Sequence, residues 1–165
     1  MLNQEELQRK SEQLKEQKIK QIKESNISLD YSFDGSTIET NKSLKNKIKE
    51  YYNTENEYLI SELDVSCVTS MYYLFDRCCK MNINLDNWDT SNVIDMSYMF
   101  YACSSFNQPV KFDTRNVTKM KSMFRWCNNF NQPVNFDTKN VVDMTLMFEG
   151  CISLEENNKK LIMLH

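Results

Sequence analysis

Cysteine and aspartate recur in this chain at a nearly fixed interval, and both can do chemistry. Cys78, Cys103, Cys127 and Cys151 are separated by 25, 24 and 24 residues. A thiolate is a nucleophile and a metal ligand, but structural zinc requires paired C-x₂₋₄-C or histidine knuckles, which this spacing does not supply. The sole histidine is His165, the last residue, so a Ser-His-Asp or Cys-His pair has no usable base. Asp89, Asp113 and Asp137 recur as well and raise the question of a calcium roll. Such rolls need glycine-rich nonapeptides, and the chain holds 2 Gly. No glycosidase carboxylate pair can be picked from 23 acidic residues without geometry. No enzyme activity, metal or cofactor is expected, and no small-molecule substrate is evident. The ladder cysteines read as core thiols, with bridges between neighbouring copies as the alternative, because stacked copies bring Cα atoms to about 5 Å.

These residues belong to a unit repeated four times. Val68, Met71, Leu74, Phe75 and Cys78 recur as Val93, Met96, Met99, Phe100 and Cys103. They return as Val117, Met120, Met123, Phe124 and Cys127, then as Val141, Met144, Met147, Phe148 and Cys151. A second string precedes each copy, running from Asp64, Asp89, Asp113 and Asp137 to the valine four residues on. Met96, Met99, Phe100, Cys103 and Phe106 follow the spacing of one helical face, which predicts a helix or a tight 3₁₀-like turn. Alternation then takes over, with Val110 and Phe112 on one face and Lys111 and Asp113 on the other, and predicts a short strand. Pro109 and Pro133 belong at strand starts, where no ladder bond is lost. Between Cys78 and Trp88 the first copy has one extra residue and no proline, to be absorbed by a bulge or longer loop.

One such unit cannot bury its own apolar face, so stacking must do it. The expected fold class is therefore α/β: a short leucine-rich-repeat-like solenoid of four 24–25-residue rungs with a parallel strand ladder, capped by an N-terminal strand and helix segment. Its interior ladder would be Met71, Phe75, Cys78, Met96, Phe100, Cys103, Met120, Phe124, Cys127, Met144, Phe148 and Cys151. Short polar side chains in the Asp-Thr-x-Asn segment would bond their own backbone as the chain reverses. Asn92, Asn116 and Asn140 could stack, each amide bonding the next copy's backbone, with Cys67 breaking that column in the first copy.

Read from Trp88 to Gln108, the chain resembles the BspA-like repeat family of bacterial surface proteins and lipoproteins. The residues that carry the likeness are Trp88 to Val93, Asp95 and Met96, Met99 and Phe100, Cys103, and Phe106 to Gln108. The resemblance covers Leu63 to about Leu154, and Asn41 to Leu63 resembles the short charged helix and first half-rung that precede such repeats. It implies a leucine-rich-repeat relative and a surface or adhesion-type role at the cell surface.

Four regions follow. Residues 1–24 form a charged N-terminal helix, in which Leu7, Leu14 and Ile22 lie roughly a heptad apart. A solvated or lightly docked helix and an oligomerising one both remain open, and the oligomeric state is not set. Residues 25–60 form the cap: a strand over Asn26 to Asp34, a turn at Asp34, Gly35 and Ser36, and a helix capped by Thr40 or Asn41 with Leu44, Ile48, Tyr51 and Tyr52. Residues 61–157 hold the four copies. In the tail, residues 158–165, Leu161 to Leu164 either fold back over the last copy or mark a truncated array.

The chain has 165 residues and a net charge of -3, which points neither to nucleic acid nor to an anionic membrane. No apolar run approaches the roughly 18 residues of a membrane span, and no secretory signal can be drawn. From these the expectation is a cytoplasmic chain with reduced thiols. Lys111, Arg115, Lys119, Lys121, Arg125 and Lys139 form a loosely basic middle that reads as a solvated face, with weak nucleic-acid binding as a runner-up. Tyr73, Tyr98, Tyr101 and Trp126 lie off the interior stripe, where aromatics mark contact sites. Lys111, Asp113, Asn135 and Asp137 are the polar counterparts on the strand side. The expected function is non-catalytic protein–protein interaction through Tyr98, Tyr101, Lys111, Asp113, Trp126 and Asn135. Its rival is a structural fragment of a longer array with no partner of its own.

Overall fold

Glutamine, glutamate and lysine favour helix, and they dominate the first helical segment, α1, Gln4–Ser25. The computed structural model describes residues 4–25 and 37–160. The expected strand and turn over residues 26–36 and the apolar tail 161–165 lie outside them. α1 belongs to one structural unit, Met1–Phe33, and the rest of the chain to a second, Asp34–His165. Leu7 and Leu14 are exposed on α1.

In the second unit, α2 spans Thr37–Tyr51, beginning three residues ahead of the expected cap at Thr40. Leu44 and Ile48, one helical turn apart, are buried, and Tyr51 and Tyr52 pack beside them. The chain leaves α2 through Asn53, whose positive φ of 59° an asparagine tolerates at a helix end. A 3₁₀ helix, Glu57–Glu62, then buries Leu59 and Ile60. Trp88 locks this segment to the copies: its indole N–H donates to the Ile60 carbonyl at 3.1 Å, out of water.

Each Met–Phe–Cys stretch is a run of turns rather than a helix. In the first copy Leu74 N–H donates to Met71 O (3.1 Å), Asp76 N–H to Tyr73 O and Cys78 N–H to Phe75 O (3.0 Å). Residues three and seven of the run have positive φ: Tyr73 and Arg77, Tyr98 and Ala102, Ser122 and Trp126, Leu146 and Gly150. Switching hand in this way turns alternate N–H groups toward the next copy. Met71, Tyr73, Phe75 and Arg77 donate to Asp95, Ser97, Met99 and Tyr101 at 2.8–3.2 Å. The second and third copies repeat the pattern.

That register stacks like on like. Phe75, Phe100, Phe124 and Phe148 form a column with ring centroids 5.4, 5.2 and 5.5 Å apart and nearly parallel planes. Phe106 and Phe130 form a second column at 5.9 Å, and each packs on the first at 4.3 and 4.5 Å. Trp88, Phe112 and Phe136 close the core from the opposite wall. Met71, Met96, Met120, Phe75, Phe100 and Phe124 are fully buried. At the last copy Met144 is 37% exposed and Phe148 only partly covered, while Cys78 in the first copy is half-buried.

The α/β architecture with a parallel strand ladder, and with it the leucine-rich-repeat solenoid, is not what forms. Among the described residues there is no sheet, only single-residue parallel bridges: Ser70 with Asp95, Asp95 with Lys119, Lys119 with Asp143 and Val110 with Val134. The physical reason lies on both sides of the copy. Val110 to Asp113 is hemmed between a proline without a donor and the Asp-Thr turn, so no run of ladder bonds can develop. The Asp113 and Asp137 carbonyls accept from the hydroxyls of Thr90 and Thr114, both at 3.1 Å. Most of the backbone bonds that hold the copies together come instead from the turn runs.

Phe124 sits in the middle of the main column, so Phe124→Ala should cost about 3–5 kcal/mol of stability, as expected for a cavity in a packed core. Phe148→Ala, at the partly open end, should cost clearly less. Urea unfolding of both variants checks the order; equal losses would mean the column does not carry the fold.

Candidate functional site

The residues of the turn runs that point away from the phenylalanine columns form an outer surface. Tyr73 stacks on Tyr98 with centroids 4.4 Å apart, and Tyr72 meets Tyr73 edge-on at 4.6 Å. Tyr101 completes the group at 5.9 Å from Tyr98 and 6.1 Å from Tyr73. Burial, then the neighbouring tyrosines and Asp76, pushes the Tyr73 phenol above its ordinary value, so it remains a neutral donor. In the third copy the tyrosine column ends at Ser122, which is buried and whose hydroxyl has no partner among the described residues.

Trp126 continues the aromatic surface and is 49% exposed. The Arg125 guanidinium lies 5.8 Å from its ring and pairs with Glu149 of the next copy. Gly150 is the floor under the indole: a Cβ built there would stand 3.4 Å from both the ring and the backbone of Trp126, at a φ of +77°. A side-chain Cβ at that distance would make ordinary contact, so glycine is favoured at this position by its conformation.

The six expected contact residues divide between two walls. Tyr98, Tyr101 and Trp126 lie on the turn runs. Lys111, Asp113 and Asn135 lie across the core, flanking Phe112 and Phe136, the rings that face Phe100 and Phe124 at 6.4 Å. Lys111 is engaged by Asp86 at 2.6 Å and Asn135 is exposed. Asp113 bonds the Arg115 backbone and side chain, and Arg115 holds its carboxyl below the usual range. Asp64, Asp89 and Asp137 likewise accept from the N–H two residues on, at 2.9–3.1 Å. These carboxylates fasten turns. The amides of Asn92, Asn116 and Asn140 each donate to the preceding copy's backbone at 2.7 Å, rather than to the next.

The cysteines are all thiols, and among the described residues no group of three or more potential metal ligands comes together. The thiols of Cys103, Cys127 and Cys151 donate to the carbonyls of Phe75, Phe100 and Phe124 at 2.9–3.0 Å. Burial is the first cause that pushes the Cys103 and Cys127 thiols far up, and the neighbouring thiol adds to it. Burial, then Asp76, raises Cys78 to about 11.

Three features of the site lie outside what the sequence pattern predicts: Tyr72, Gly150 and a second amide column, in which Asn107, Asn131 and Glu155 N–H groups donate to Asn82, Asn107 and Asn131. Tyr73 and Tyr98 share a repeat position, a signal that was readable. Nothing in the sequence marked Gly150 as the partner of Trp126.

A protein-family profile described as "Mycoplasma protein of unknown function, DUF285" matches residues 7–111 and 109–161. No curated protein and no solved structure matches the chain.

Three measurements test this geometry. Ellman's reagent at pH 8 should label Cys67 and Cys79 in the native protein, while Cys103, Cys127 and Cys151 react only after unfolding, as their burial requires. Because the ordinary thiol value is 9.0 and the folded Cys78 value is about 11, the stability from buried neutral thiols is complete below about pH 9 and is lost as pH rises toward 11. The denaturant midpoint should fall over that window. Gly150→Ala should cost about 1 kcal/mol or more, since its φ is strained for any other residue. It should also shift the Trp126 emission and leave buried Trp88 unchanged; an unaltered spectrum would remove Gly150 from the site.

Proposed function

We propose a non-catalytic, protein-binding role for this chain, which belongs to the DUF285 family of Mycoplasma proteins of unknown function. The observation that carries the reading is the outer aromatic surface. Tyr72, Tyr73, Tyr98 and Tyr101 lie in mutual ring contact, and Trp126 stands half in solvent under Arg125. Tyrosine, tryptophan and arginine are the side chains that dominate binding energy at protein interfaces. These rings are placed by the backbone runs yet add little to the phenylalanine core, so their apolar area is available to a partner.

The likeness of Trp88 to Gln108 to BspA-like proteins supports an adhesion-type partner. The downward-shifted carboxylates Asp89, Asp113 and Asp143 are each engaged by a residue two positions on, which favours a turn-forming role over acid–base work. Lys111, Arg115 and Arg125 are taken up by Asp86, Asp113 and Glu149, which speaks against a phosphate-binding stripe.

Immobilised wild-type chain and its Tyr101→Ala and Trp126→Ala variants, matched for folding by circular dichroism, are compared by quantitative pull-down from cell extract. A partner retained by the wild type and weakened at least about tenfold by both substitutions supports the reading, since central aromatics are worth about 2 kcal/mol or more. A chain that retains nothing specific, or a partner indifferent to both substitutions, overturns it in favour of a purely structural segment.

A further inference from the structure

The fourth copy carries a row of backbone donors that find no acceptor among the described residues. In the first three copies, four alternate N–H groups donate to carbonyls of the following copy. The equivalent N–H groups of the fourth belong to Met144, Leu146, Phe148 and Gly150, and none has an acceptor among the described residues. The carbonyls along the same run are already used. Those of Asp143, Thr145, Met147 and Glu149 accept from the third copy, and those of Met144, Leu146 and Phe148 close the copy's own turns. Along this run the edge therefore offers donors only, with the Val142 carbonyl beside it in the place where Thr69, Ile94 and Thr118 accept from the following copy.

Two side-chain observations point the same way. Thr90 and Thr114 give their hydroxyl hydrogens to the carbonyls of Asp113 and Asp137 in the next copy, while the buried Thr138 hydroxyl has no partner among the described residues. Met144 is 37% and Leu146 42% exposed, where Met71, Met96 and Met120 are at 0%. A buried polar group left unpaired costs about 1–3 kcal/mol, so a chain that brings acceptors here is favoured twice, by hydrogen bonds and by apolar contact.

We infer that this terminal edge binds a polypeptide segment that presents a row of backbone carbonyls with apolar side chains between them. In chemical terms the occupant is a further Met–Phe–Cys run carried by another protein, because that is what covers the same edge three times within this molecule. A second copy of the chain fits poorly. Related by a two-fold axis it would set donors against donors, and stacked head to tail it would meet the first copy's end, where α2 packs with Lys45 beside Asp76. The mode is edge addition, in which main-chain bonds give affinity and alternate side chains give selectivity. It does not depend on the aromatic surface.

The test uses the full chain, labelled with ¹⁵N, and a synthetic peptide of residues 113–130 of this sequence. Amide exchange of Met144, Leu146, Phe148 and Gly150 should be fast in the free protein while Met120, Ser122, Phe124 and Trp126 are protected. The peptide should slow the first set at least tenfold, a scrambled peptide should not, and Leu146→Asp should weaken peptide binding at least tenfold. Should Leu146→Asp fail to fold, the wild-type exchange pattern decides alone. Slow exchange at those four amides before peptide is added would mean the chain covers its own edge. Protection that grows with protein concentration would assign the edge to a second copy. Either result overturns the inference, as does a peptide that leaves the four amides unchanged at millimolar concentration.

Discussion

The direction of the backbone N–H groups in the turn runs decides most of this structure. A residue of positive φ between residues of negative φ turns alternate peptide groups the same way, so four N–H groups in each of the first three copies leave along the stack and find carbonyls at 2.8–3.2 Å. An α-helix would have consumed those groups internally, and a β-ladder would have shared them with both neighbours. Within the turn runs each copy gives its donors in one direction and receives from the other, while a second set of N–H groups, on Ile94, Thr118 and Val142, runs back to the preceding copy. The like-on-like columns follow from that register: once residue 75 faces 99 and residue 77 faces 101, Phe75 must lie on Phe100 and Cys78 beside Cys103.

The columns then make the register costly to change. A slip by one residue would pull the phenylalanines apart and leave the cysteine thiols without the carbonyls of Phe75, Phe100 and Phe124. It would also unpair the asparagine amides that tie each Asp-Thr turn to the copy before it. The extra residue of the first copy lies past the stretch in which Met81 and Phe106 N–H donate to Cys78 and Cys103 alike, in the turn that Trp88 N–H closes on the Leu85 carbonyl at 3.0 Å. Apolar burial and polar satisfaction therefore select the same alignment, which is the consistency across levels that specifies one structure.

Repetition and burial were legible because they depend on residue type at fixed spacing. The valine, methionine, phenylalanine and cysteine positions could be read off directly, as could the aspartates that close their own turns. The backbone between them was not legible. Positive φ normally announces itself as glycine or asparagine, and here those positions hold Tyr73, Arg77, Tyr98, Ala102, Ser122, Trp126 and Leu146. Without that signal the i, i+3, i+4 spacing reads as a helical face, and the alternation at Val110 and Phe112 reads as a strand. The aromatic surface was half legible: Tyr98, Tyr101 and Trp126 were recognisable as lying off the core, but Lys111, Asp113 and Asn135 belong to the other wall.

The same seven positions bear on why the surface is aromatic. A bulky residue in the left-handed region costs about 1–2 kcal/mol relative to a right-handed one, and glycine would remove that cost. Among the equivalent positive-φ positions of the four runs, the chain uses glycine at Gly150 alone. At Tyr73, Tyr98 and Trp126 it carries the strain instead, on side chains that are not needed to fill the phenylalanine core. Mutual stacking of Tyr73 on Tyr98 at 4.4 Å offsets part of it, whereas Trp126, with half its surface in water, recovers little. Strain that packing does not repay is a feature of sites with a role outside the fold, and the half-exposed indole beside a guanidinium is consistent in this respect with the proposed protein contact.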